Sequence, residues 1–80
     1  MTGKEAKRFF REFANKQFLL AKVSSNLTRK QREIIKLVDI EGLTLDEASD
    51  ELAMSTSALK KKRNKAYTVI GALLEEDILK

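Results

Sequence analysis

The sequence predicts an all-α fold, a small bundle of four to five helices. Apolar residues recur at helical spacing through most of the chain, and paired capping signals open two of the segments. Proline is absent from the 80 residues, and glycine is confined to positions 3, 42 and 71. The whole chain, 1–80, is read as a single domain, divided into an N-terminal amphipathic helix (1–26), a central core (27–71) and a helical tail (72–80). The natural breaks are Ser24-Ser25-Asn26, Glu41-Gly42 and Ala53-Met54-Ser55.

From Lys4 to Val23 the pattern is one amphipathic helix. Ala6, Phe9, Phe10, Phe13 and Leu20 share a side, and Lys7, Arg8, Arg11, Asn15 and Lys22 lie opposite. Phe18 and Leu19 fall off the stripe, so the helix either ends early or faces two surfaces. Its phenylalanines read as core, with a face for a partner or a membrane surface as the alternative.

The second helix opens at Leu27-Thr28-Arg29-Lys30-Gln31. Thr28 and Gln31 have the spacing of a capping box, and Leu27 can close a hydrophobic staple. Ile34, Ile35, Leu37 and Val38 give the apolar face, and Gly42 is placed to end the helix in the left-handed conformation.

Thr44-Leu45-Asp46-Glu47 repeats the capping device and starts a short helix that buries Leu45, Ala48 and Leu52. A fourth helix is capped by Ser55, with Leu59, Ala66, Ile70, Leu73 and Leu74 on one face. Thr56, Ser57, Lys60, Lys61, Asn64 and Thr68 lie broadly on the other. Gly71 either stops this helix or weakens it, and the stripe beyond it predicts helix toward Leu79. Tyr67 reads as a half-buried packing residue.

Composition removes whole classes of chemistry. With no cysteine and no histidine there are no disulfides, zinc fingers, thiol nucleophiles or imidazole bases. A chain of this length buries only about 60% of its unfolded surface, which leaves little for an enclosed active-site cavity. An enzyme is therefore the weakest reading, and no cofactor or metal is expected. No apolar run reaches the length of a membrane span, and the N-terminus lacks a signal-peptide core, so a cytoplasmic protein is expected.

The net charge of +4 is modest, but it is unevenly distributed. Residues 4–32 carry nine Lys/Arg against two Asp/Glu, and residues 55–70 carry five basic residues and no acid. Between them, residues 33–54 hold seven acids and only Lys36. Two basic segments make an anionic partner plausible, with nucleic acid the first candidate.

A short helix, a tight turn and a longer helix with a polar face form the helix-turn-helix plan, here over about Thr44 to Tyr67. Ala48 and Ser49 are small enough for two helices to cross. Ala53 and Met54 supply the turn and its apolar plug, and Leu59 the inward anchor.

The stretch Leu27 to Gly71 resembles region four of bacterial sigma factors and is similar, almost as closely, to the DNA-binding domain of LuxR/GerE-type regulators. The resemblance rests on Leu27, Thr28, Arg32, Glu33, Ile34, Gly42, Thr44, Glu47, Leu52, Ser55, Leu59 and Lys60. Ser49 stands where those families usually have alanine, and Ala53 where they favour glycine, so a left-handed turn at Ala53 would be strained. Lys60-Lys61-Lys62-Arg63 is more basic than the typical recognition helix.

The expected function is sequence-specific binding of duplex DNA by a transcription regulator of bacterial or phage type. Thr56, Ser57, Lys60, Lys61, Asn64 and Lys65 are the candidates for base edges and adjacent phosphates. Arg29, Lys30 and Arg32 begin a helix where positive charge opposes the dipole, a local cost that gives phosphate binding equal standing with simple solvation. The alternative function is a sigma-like adaptor that docks RNA polymerase or another protein through helix 1 or through Leu73, Leu74, Ile78 and Leu79. Asp46, Glu47, Asp50 and Glu51 form a solvated face or, as the sigma resemblance implies, a contact for RNA polymerase. A homodimer stays open as a further partner.

Overall fold

The computed structural model describes residues 2–77. Their order is α1 (Gly3–Glu12), α2 (Lys16–Val23), a 3-10 turn (Ser24–Asn26), α3 (Arg29–Ile35) running into a π-turn (Lys36–Ile40), α4 (Leu45–Glu51) and α5 (Thr56–Asp77). Among the described residues there are five α-helices and no strand, which is the all-α class that the periodicity predicts.

The expected single helix from Lys4 to Val23 is corrected to two. Phe13 turns extended (φ −72°, ψ 131°), and the Asn15 side chain accepts from the Phe18 N–H at 3.0 Å, which caps a new helix. This local competition by asparagine resets the helical phase. Leu19 and Val23 consequently become core residues, while Phe18 is left 59% exposed. The off-stripe positions in the sequence were the sign of the break.

Three capping boxes open α1, α3 and α4, built on Thr2/Glu5, Thr28/Gln31 and Thr44/Glu47. Ser55 caps α5 by accepting from the Ala58 N–H at 3.2 Å. Gly42 adopts φ 81°, the left-handed stop expected of it. The turn before it widens, with the Glu41 N–H donating to the Lys36 carbonyl, the five-residue spacing of a π-turn. Helix α5 passes through Gly71 without interruption.

Two apolar clusters hold the helices. The larger joins Ala6 and Phe10 of α1, Leu19 and Val23 of α2, Leu27, Ile35, and Ala66, Tyr67, Ile70 and Leu74 of α5. The smaller is built on Ile34, Ala48 and Leu59, ringed by Leu37, Val38, Leu43, Leu45, Leu52 and Met54. Adjacent isoleucines on α3 thus serve different clusters, and α5 enters the smaller cluster through Leu59 and the larger from Ala66 onward. Phe9 and Phe13 pack partly buried on the larger cluster, so the aromatic face of the N-terminal segment is turned inward. Leu73 and Leu74 also pack there, while Ile78 and Leu79 lie outside the described residues.

Candidate nucleic-acid interface

Helix α4, the turn Leu52–Ser55 and the start of α5 are locked by the smaller cluster. Leu59 is fully buried one turn into α5, and Ala48 faces it as the small crossing residue. Ser49 is also buried, and its hydroxyl donates to the Asp46 carbonyl at 2.8 Å, so the extra polar atom is satisfied within its own helix. Ala53 has φ 53°, the left-handed conformation anticipated for this position. Met54 plugs the turn, and its N–H donates to the Ser49 carbonyl at 3.0 Å.

This anchoring decides which side of α5 meets solvent. Ser57, Lys60, Lys61, Asn64 and Lys65 are exposed, and Thr56 is half-buried. Helix α1 flanks the later part of that face. A side chain at Gly3 would stand 3.3 Å from the Thr68 hydroxyl, and Lys7 Nζ donates to Asn64 Oδ1 at 3.5 Å. The first turns of α5 are therefore the open part of the polar face, and Asn64 stands at its border.

The second predicted set is divided. Arg29 and Lys30 are exposed at the start of α3 and pair with Glu33 at 3.4 and 4.0 Å. No hydrogen bond or ion pair joins them to α5 among the described residues. Arg32 is taken into the fold: its Nη1 donates to the Ser24 carbonyl at 3.0 Å and to the Leu27 carbonyl at 2.9 Å, closing the 3-10 turn. The acids Asp46, Glu47, Asp50 and Glu51 are all exposed on α4.

Arg63, one member of the basic run, faces inward. Its Nε and Nη2 donate to Asp39 Oδ2 and Oδ1 at 3.0 and 2.6 Å, a two-pronged pair with the carboxylate 97% covered. Burial opposes the guanidinium charge, but the bond to Asp39 and that carboxylate's charge outweigh it and raise the Arg63 pKa. Tyr67 is fully buried rather than half-buried, with Arg63 and Lys7 at 5.5 and 5.9 Å from its ring centroid. Burial first, then the Asp39 carboxylate, pushes the phenol well above its ordinary range. Asp39 had no signal of its own in the sequence, because a lone acid among seven between residues 33 and 54 reads as surface.

Residues 18–68 match the family described as sigma-70, region 4. The chain belongs to the sigma-70 region 4 family. These domains are helix-turn-helix DNA-binding modules, and the α4–turn–α5 geometry is that motif here. The match begins within α2, so α1 stands before it. Comparison with curated proteins and with solved structures finds no match. No helix among the described residues is long and apolar enough to cross a membrane, and no His/Cys/Asp/Glu group among them could hold a metal.

Proposed function

We propose that this sigma-70 region 4 protein is a sequence-specific duplex-DNA-binding transcription regulator of the cytoplasm. The reading is carried by one observation: Leu59 fixes α5 so that Ser57, Lys60 and Lys61 stand together in solvent at its start. That is the part of a recognition helix that reaches base edges in the major groove. Lysine suits the O6/N7 edge of guanine, and Asn64 suits adenine. Lys65, Arg29 and Lys30 add charge suited to phosphates.

Selection of sites from a randomised duplex by the purified protein tests this. The expected result is a preferred sequence that Lys60→Ala and Lys61→Ala bind more weakly, with helical content unchanged. A good base contact contributes about 1–3 kcal/mol of discrimination. Recovery of no preferred sequence would sink the reading.

A second reading, docking of RNA polymerase, is favoured by the exposed acids Asp46, Asp50 and Glu51 on α4. They suit a basic protein surface and face no ion-pair partner among the described residues. Capture of polymerase by the parent protein, lost on replacing those acids with asparagine and glutamine, is its expected signature.

A further inference from the structure

Besides the lysines of α5, a second group of cations without ion pairs among the described residues lies before the stretch that matches the family. Lys7 and Arg11 stand one turn apart on α1, and Lys16 opens α2 just beyond the Phe13–Asn15 break. The break folds Lys16 back, so that its Nζ donates to the Phe13 carbonyl at 3.4 Å. These three side chains form one wall of an open groove of about 540 Å³. The opposite wall is the π-turn, the approach to α4 and Arg63 of α5.

The one acid in the groove does not neutralise this wall. Asp39 is covered and held by both prongs of Arg63, so that pair contributes little net charge. None of Lys7, Arg11 and Lys16 has an ion-pair partner among the described residues. Partial burial and then the neighbouring Arg63 charge lower the Lys7 pKa, and the opposing charge of Asp39 does not offset them. The groove also has a direction. It meets the polar face of α5 where Lys7 Nζ touches Asn64 Oδ1.

We propose that Lys7, Arg11 and Lys16 form a backbone-holding groove beside the recognition face, which takes phosphodiester groups of the same duplex that α5 reads. The inference rests on the DNA-binding reading above and extends it to a segment that precedes the family match. The contact at Asn64 favours a nucleic-acid backbone over an acidic protein segment, because a duplex seated on the start of α5 continues past Lys7. Contacts of this kind give affinity and register without reading sequence.

The test is binding of random-sequence duplex over a series of salt concentrations, comparing parent, Arg11→Gln and the triple change Lys7→Gln/Arg11→Gln/Lys16→Gln. Each lost phosphate contact flattens the log–log salt slope by about 0.9. Arg11→Gln is expected to remove about one such increment and the triple variant two to three, with the selected sequence unchanged. Arg11 is exposed and has no ion pair among the described residues, so its variant keeps the test valid if the triple change alters folding. An unchanged slope in Arg11→Gln beside normal parental binding would overturn the groove alone and leave the DNA reading standing. Saturable binding of inorganic phosphate at the groove, without a change in DNA slope, would overturn it in favour of a free anion. Failure of the parent to bind any duplex would remove the DNA reading and the groove together.

Discussion

Arg63 on the recognition helix grips Asp39 on the π-turn through two hydrogen bonds of 3.0 and 2.6 Å, with both side chains largely covered. The pair ties α5 to the π-turn after α3, where Val38 packs on the smaller cluster, Ile40 on the larger, and Arg63 lies 5.5 Å from the ring of Tyr67. A covered ion pair is weak evidence of net stability, but removing one partner leaves an uncompensated charge, at a cost of about 3–5 kcal/mol. Asp39→Asn is expected to lower the melting temperature sharply. The double change Asp39→Leu/Arg63→Met is expected to recover much of the loss. Thermal denaturation of the three proteins measures it, and a double variant no more stable than Asp39→Asn would contradict it.

Ala53 offers a gain instead of a loss. At φ 53° its Cβ crowds the following carbonyl, a strain of roughly 1–2 kcal/mol for an L-residue that glycine avoids. Ala53→Gly is expected to stabilise the domain by about 1 kcal/mol after glycine's own entropy is offset. Urea denaturation at neutral pH would show the midpoint rising, and a fall would mean that this turn relaxes differently from the φ observed.

The cap of α4 predicts a pH dependence. The Glu47 carboxylate accepts from the Thr44 backbone N–H at 2.9 Å, and this bond, followed by the one with the Thr44 hydroxyl, lowers its pKa. A carboxylate whose folded pKa is depressed adds stability above its unfolded pKa, and that stability is lost as pH falls through the folded value. The parent and Glu47→Gln should therefore differ most in melting temperature near neutrality and converge below the ordinary glutamate range. A constant gap across that range would contradict the assignment.

These sites differ in how far the sequence revealed them. Thr28/Gln31, Thr44/Glu47, Ser55 and Gly42 were legible because caps are local chemistry at fixed spacing. Thr2/Glu5 has the same spacing and was available to the same reading. Leu59 and Ala48 followed from periodicity together with the need for a small residue at a helix crossing. The break at Phe13–Asn15 was only half legible: Phe18 and Leu19 disturbed the stripe, but asparagine inside a helical pattern does not by itself announce a cap. Asp39–Arg63, Arg32 on the Ser24 and Leu27 carbonyls, and the Lys7–Arg11–Lys16 wall join residues through tertiary packing. Charge counting placed Arg63 and Arg32 among basic segments, with no means of telling an inward guanidinium from an outward one.

The last prediction separates the basic residues of α3 by what they touch. Lys30 is exposed and only loosely paired with Glu33 at 4.0 Å, and such a surface pair contributes at most about 1 kcal/mol to stability. Arg32 instead closes two carbonyls of the 3-10 turn, and charge-assisted bonds of this kind contribute about 1.5–3 kcal/mol. Lys30→Gln should therefore leave the melting temperature almost unchanged. If Lys30 meets a DNA phosphate, it should weaken binding to all duplexes alike and flatten the salt slope by about 0.9. Arg32→Gln should do the reverse, lowering the melting temperature while leaving the slope of the folded protein near the parent's. Asn64→Ala gives a third pattern, because its amide borders the reading face of α5: the preferred sequence should shift while slope and stability hold. Anisotropy titrations at several salt concentrations, run beside thermal melts of the same preparations, distinguish the three. A flattened slope for Arg32→Gln, or an unchanged one for Lys30→Gln, would mean that the backbone path across α3 differs from the one drawn from these contacts.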